Sequence, residues 1–222
     1  MSETSYVLLF GACKGSRVGF AANGRGACAV RYYAHTVEGA PEERWHLLKD
    51  HLAGTAQRAA DFAKPFPAEK LGWIAGLLHD IGKYSREFQQ RLRGAPLKVD
   101  HSTAGAQEAV RLFHSHPIGR ILAYVIAGHH SGLPDFGSPV DDSTLAARLR
   151  KPVPDYQSFH YEIAGLLADL KPSRLPVRPN PQSPGFTVQF FVRMLFSCLV
   201  DADFLDTEKA VNPKQAERRG AY

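Results

Sequence analysis

The sequence predicts an all-α fold, and three observations carry that prediction. Apolar residues recur at three- and four-residue steps over long windows. Few segments alternate apolar and polar residues as strands do, and no strand–helix alternation of the kind a parallel sheet requires can be traced. Proline-containing breaks separate the periodic segments.

The elements follow in order. Residues 1–30 are rich in Gly and Ala, show no lasting period and are assigned as an N-terminal extension, with one strand expected at Tyr6–Phe10. The stretch GACKGSRVG is not a phosphate loop, because Lys14 precedes the second glycine where that motif needs GxxxxGK[ST]. From about Glu43 the pattern turns helical: Trp45, Leu48, Leu52, Ala56, Ala59 and Phe62 share a stripe that Pro65 and Pro67 end. A second helix is predicted from Ala68 to Leu78, after which Gly82 permits a turn. Asp100 or Ser102 can cap a third helix running to about His114. Pro117 or Ile118 opens a fourth, whose stripe Ile121, Leu122, Val125, Ile126 leads to His129. Two weaker helices are expected near Asp142–Arg150 and Asp155–Leu170. The segment KPSRLPVRPNPQSPG (171–185) reads as a proline-rich surface loop. A long apolar helix from about Thr187 to Thr207 closes the fold, and residues 211–222 read as a polar tail or linker.

Composition narrows the functional classes. The 222 residues are 44% hydrophobic, enough to bury a core. No apolar run reaches the roughly 18 residues that span a bilayer, and no signal peptide is discernible, so no membrane association and a cytoplasmic location are expected. Cys13, Cys28 and Cys198 are odd in number and widely spaced, which argues against a disulfide framework or a thiolate metal site. A net charge of +5 and a pI near 9.2 are compatible with a polyanionic partner such as nucleic acid.

The informative feature is polar chemistry on apolar faces. His51 lies one step from the Leu48/Leu52 stripe. His79 and Asp80 end the second helix in LLHDIGK. His101 begins the third, and His129 and His130 end the fourth in AGHHSGLPD. Asp203, in LVDADFLDTE, is in phase with Val192, Phe196 and Leu199, and Asp201 is close behind. Taken singly, each has a structural explanation: a satisfied boundary histidine or a helix cap. Taken together, they place imidazole or carboxylate at core-facing positions of five helices, and helical bundles bring such groups together as metal sites. Imidazole with carboxylate favours Mn, Fe, Co, Ni or Zn over Ca or Mg. The ligands are too many for one tetrahedral ion. They suit two divalent transition-metal ions bridged by Asp80, an arrangement able to activate water for in-line phosphoryl displacement.

At this point the residues resemble a family. The order His51…His79-Asp80…His101…His129-His130…Asp203 looks like the HD phosphohydrolase superfamily, and within it the HD nuclease domain of the type I CRISPR nuclease–helicase. The resemblance rests on YYAHT (32–36), LLKDHLAGTAQRAADFA (47–63), GWIAGLLHDIGKYSREFQQRL (72–92), VDHSTAGA (99–106), AYVIAGHHSGLPD (123–135) and FSCLVDADFLDTE (196–208). It covers roughly residues 31–210, the predicted HD nuclease domain. It implies an HD-domain helical bundle around a buried metal site. It also implies a metal-dependent deoxyribonuclease cutting single-stranded DNA that a helicase feeds to it after an RNA-guided surveillance complex opens the target.

By position, the resemblance implies that His51, His79, Asp80 and Asp203 hold one ion and Asp80, His101, His129 and His130 the other, with Mn, Fe, Co or Ni as the ions. Asp203 is preferred to Asp201 because it lies between Ala202 and Phe204. Lys83, one turn from Asp80, would steady phosphate or transition-state charge; the alternative is a solvated lysine at a helix C-terminus. Arg86, with Arg91, Arg93 and Lys98, could track a strand's phosphates, and Tyr84 and Phe88 could stack bases or simply pack. No Walker motif is present, so unwinding is expected from a helicase domain or subunit outside these residues. Two alternatives remain open: an HD phosphohydrolase of nucleotides or cyclic dinucleotides, and an inactive docking module. Replacing Asp80 by Ala is expected to abolish cleavage and leave the fold largely intact.

Overall fold

The computed structural model describes residues 30–219 apart from 115, 139, 142, 169–171 and 173. The expected strand at Tyr6–Phe10, the N-terminal extension, Cys13 and Cys28 lie outside the described residues. The order of elements is β1 (Tyr33–His35), β2 (His46–Leu47), α1 (Leu48–Ala63), α2 (Glu69–Leu78), α3 (Arg86–Leu92), α4 (Ser102–Phe113), α5 (Pro117–Gly128), α6 (Leu145–Arg148), α7 (Phe159–Glu162), α8 (Pro184–Val211) and α9 (Pro213–Arg219). Helix dominates, and the only sheet among the described residues is the antiparallel pair β1–β2, with Tyr33 opposite Leu47 and His35 opposite His46.

The hub is α2, whose helical contacts reach α1, α4, α5 and α8. Its composition explains the close approach to α1. Gly72 and Gly76 face the backbone at Ala59–Ala60 and Thr55–Ala56, where an added Cβ would collide with main-chain atoms. Leu71, Ile74, Leu77 and Leu78 fill the opposite sides and are almost fully buried. The second pair, α4 and α5, packs on α2 through Ala104, Ala106 and Ala109 against Ile118, Leu122, Val125 and Ile126. The long helix α8 crosses α1, α2 and α5 with Phe191, Leu195, Leu199 and Ala202 turned inward.

Several boundaries differ from expectation. Residues 42–44 form a 3-10 turn and 46–47 pair with β1, so helix begins at Leu48 rather than Glu43. The 3-10 turn Ile81–Tyr84 is followed by α3, which the sequence did not suggest: Ser85 accepts a hydrogen bond from the Phe88 N–H and starts a helix too short for a period to emerge. The helix expected near 142–150 is a single turn capped by Thr144. That expected at 155–170 is α7 followed by a 3-10 turn at Ala164–Leu167. The closing helix is longer than predicted at both ends, and part of the polar tail folds as α9. Among the described residues no helix is long and apolar enough to cross a membrane.

Candidate metal centre

Helix ends and helix faces converge at one point. His51 is on the second turn of α1. His79 caps α2, and Asp80 follows it where the chain tightens into the 3-10 turn. His101 immediately precedes α4, held by Asp100, whose carboxylate accepts from the Thr103 backbone N–H at 3.1 Å and the Thr103 hydroxyl at 2.7 Å. His129 caps α5 with His130 beside it, and Asp203 comes from α8. Arg148 ties two of these ends together, donating to Ser102 Oγ, Thr103 Oγ1 and the Ala127 carbonyl.

Asp80 is fully buried and sits at the middle. Its Oδ2 lies 3.4 Å from His51 Nε2 and 3.3 Å from His79 Nε2. Its Oδ1 lies 3.3 Å from His101 Nε2 and 3.4 Å from His129 Nε2. Each oxygen therefore faces a different half of the imidazole cluster. Asp203 Oδ1 joins the first half, 3.3 Å from His51 Nε2 and 3.6 Å from His79 Nε2. In the second half, His130 Nε2 points at His101 Nε2 across 2.8 Å. Asp201 is exposed and faces away. All the residues expected as ligands thus meet in one place.

The donor set fits a cation. His51 Nε2, His79 Nε2, His129 Nε2 and Asp80 Oδ1 are buried without a hydrogen bond, a costly state that a metal would relieve. His79 and His129 donate from Nδ1 to the carbonyls of Gly76 (2.8 Å) and Ile126 (2.7 Å), which leaves each Nε2 lone pair aimed inward. The spacing of about 3.4 Å among donors is also what roughly 2.1 Å ligands of one tetrahedral ion keep from one another. Four overlapping groups of side chains come close enough to share an ion: Asp80, His101, His129 and His130; His35, His51, Asp80 and Asp203; His79, His129 and Asp203; and His35, His46 and His51.

The electrostatics of the cluster are set by burial and by its own charged neighbours. Burial opposes charge on every member. At His51 the contacts with Asp203, Asp206 and Asp80 outweigh it and raise the imidazole to about 9, while at His79 the nearby Asp80 and Asp203 carboxylates raise it to about 10. Burial also disfavours the Asp80 carboxylate, yet Lys83, His79 and His101 hold it well below its ordinary value. Asp203 is likewise depressed, by His51 and His79 against its burial. His101 and His130 fall to about 4, desolvation prevailing over the pull of Asp80.

Lys83 is not the solvated terminal lysine that was one of its two expected states. It is 3% exposed. Its ammonium lies 2.6 Å from Asp80 Oδ2, donates to the Ala34 carbonyl at 3.3 Å and rests 5.4 Å from the Phe88 ring centre. Arg86 is exposed at the start of α3. Arg93 pairs with Glu42. Tyr84 and Phe88 are both buried and pack, Tyr84 donating its hydroxyl proton to Glu162.

The sequence left three neighbours unassigned. His35 on β1 and His46 on β2 flank His51, with ring centres 4.9 and 5.2 Å from it. Asp206, one turn beyond Asp203, lies 3.0 Å from His51 Nδ1. All ten histidines except His114, His116 and His160 are thus gathered here. The helical step from Asp203 to Asp206 was the available signal for the acid. For His35 and His46 the strands are too short to show a period.

Comparison with known families finds an HD domain at residues 48–152. That span includes His51, His79, Asp80, His101, His129 and His130, whereas His35, His46, Asp203 and Asp206 lie outside it. No curated protein matches the chain significantly. HD domains bind divalent metals, and the domain fits a metal-dependent phosphohydrolase.

Proposed function

We propose that this chain is a metal-dependent deoxyribonuclease that hydrolyses phosphodiesters of single-stranded DNA in type I CRISPR interference, working with a helicase domain or subunit and an RNA-guided surveillance complex. The observation that supports it most is Asp80, one oxygen toward His51, His79 and Asp203 and the other toward His101 and His129, as a carboxylate shared by two ions would be. The extended resemblance through HDIGKYSREFQ, DHSTAGA and GHHSGLPD gives the narrower substrate assignment, and the charge of +5 agrees with a polyanionic substrate.

Bound divalent transition-metal ions (Mn, Fe, Co or Ni) would supply an acidified water and neutralise charge on the phosphoryl oxygens. The residues supply the rest. His51, His79, Asp80 and Asp203 form one half of the cradle, and Asp80, His101, His129 and His130 the other. Lys83 keeps Asp80 ionised and adds positive charge at the point where a phosphate would sit. Arg86, exposed at the start of α3, would meet a further phosphate of the strand. No side chain need act as a covalent nucleophile.

The test is turnover of long single strands, duplex DNA and small nucleotides, including cyclic dinucleotides, with Mn or Ni added. Degradation of single strands that is lost in Asp80→Ala supports the proposal. Turnover of the small substrates alone replaces it with a nucleotide phosphohydrolase. A pure protein that takes up no transition metal and cuts nothing is a docking module.

A further inference from the structure

We propose that Asp206 is the positioning residue for His51 in the metal centre, holding that imidazole with Nε2 turned toward Asp80 and Asp203. A carboxylate only accepts hydrogen bonds, so the 3.0 Å contact between Asp206 Oδ2 and His51 Nδ1 puts the proton on Nδ1. The other ring nitrogen then faces the cavity, 3.4 Å from Asp80 and 3.3 Å from Asp203, where its lone pair would meet an ion.

The neighbouring imidazoles are fixed differently. His79 and His129 each use the carbonyl three residues earlier on their own helix. His51 instead takes an acid from α8, one turn past Asp203. The same helix therefore supplies a carboxylate to each end of the ring, and the pair sets the register of α8 against α1.

Three further observations fit this role. Gly54 lies directly beneath the acid, and a Cβ there would collide with the Asp206 carboxylate, so α1 is cut away where Asp206 enters. Asp206 is nearly buried, and its oxygens are flanked by His46 Nε2 at 3.6 Å and Arg58 Nε at 4.0 Å. Finally, Asp206 belongs to none of the side-chain groups among the described residues that come close enough to share an ion. It acts through His51 rather than as a ligand. Partners of this kind change metal affinity by about 10–100-fold when removed.

The inference rests on the metal site proposed above, and titration calorimetry with Mn2+ on the full chain separates the two. The parent, Asp206→Asn, His51→Ala, the double variant and Gly54→Ala are compared, with unfolding temperature in EDTA as the control for folding. Asp206→Asn should weaken Mn2+ binding about 10–100-fold. In the His51→Ala background the same change should add less than about twofold, because the ring it orients is gone. Gly54→Ala should reproduce the loss with Asp206 still present. Binding by Asp206→Asn within about twofold of the parent overturns the proposal, as does a loss that persists in full without His51. If Asp206→Asn does not fold, parent-like affinity in Gly54→Ala overturns it instead. A parent that binds no Mn2+ overturns the metal site itself.

Discussion

Replacing Asp80 by Ala should destabilise the metal-free protein as well as abolish metal uptake. Sequence alone suggested that the fold would be left largely intact and that thermal stability without metal could rise, because a buried charge is removed. The structure argues against a rise in stability, because Asp80 is not alone. Lys83 is buried with it, and their charged atoms are 2.6 Å apart. In the Ala variant the ammonium keeps only the Ala34 carbonyl and the Phe88 ring as neighbours among these contacts. Breaking one partner of a buried ion pair costs about 3–5 kcal/mol. For a chain of this size that lowers the unfolding temperature by about 6–20 °C. Lys83→Met combined with Asp80→Ala should recover most of the loss, because both charges leave together. Thermal and urea unfolding in EDTA measure this. A further check is Mn2+ at about a hundred times its dissociation constant, which should stabilise the parent by about 2.7 kcal/mol and the Asp80 variants not at all. An Asp80→Ala protein that melts at or above the parent temperature in EDTA would refute the argument, since Lys83 would then not depend on its acid.

The remaining predictions concern pH and the supports of the cluster. His51 and His79 are raised from 6.5 to about 9 and about 10, so at neutral pH an ion must displace their protons; Mn2+ affinity should climb from pH 6 toward 10 with proton release, read by calorimetry in buffers of different ionisation enthalpy, and a flat profile would contradict this. Stability in EDTA should run the other way above neutrality. The contribution of His51 and His79 is complete below 6.5 and lost through about 9 to 10, that of Asp80 and Asp203 is complete above 3.8 and lost in acid, and that of His101 and His130, lowered to about 4, is complete above 6.5 and lost as the pH falls toward 4, so unfolding free energy should peak between about 6.5 and 9. Gly82→Ala should lower the metal stoichiometry found by elemental analysis, because a Cβ at Gly82 would strike the His101 backbone, which cannot swing aside as a side chain would. Arg148→Ala should cost about 1.5–3 kcal/mol in urea unfolding through loss of its charged hydrogen bonds to Ser102 Oγ and the Ala127 carbonyl.

The parts of this fold that were legible in the sequence are those with a long repeat or a hard stop. The stripes of α1, α2, α4, α5 and α8 each persist for two turns or more, and Pro65, Pro67 and Pro117 mark boundaries that the chain respects. Because the stripes predict which face is inward, they also predict that His51, His129 and Asp203 share an interior. What could not be read is whatever depends on a single non-periodic contact. The seven residues of α3 are set by the Ser85 cap, and the β1–β2 pair is too short for alternation to register. Lys83 carries an ordinary helix-end signature, and only the positions of Ala34 and Phe88 bury it.

Asp206 shows where the boundary of legibility runs. In DADFLDTE the acids at 201, 203 and 206 look alike as residue types. Helical phase separates them: 201 falls on the exposed face, while 203 and 206 are one turn apart and look along the same side. Phase alone cannot assign different duties to those two, because that depends on which end of the His51 ring each one reaches. The ring spans the gap between them, with Nε2 toward Asp203 and Nδ1 toward Asp206. One imidazole thus measures the pitch of α8, and sliding that helix by a residue would break both contacts at once. The bulk of the hydrophobic seam between α1 and α8 would tolerate such a slip better than this polar gauge. The grip of Asp203 and Asp206 on His51 therefore specifies helix register as well as the placement of the ring.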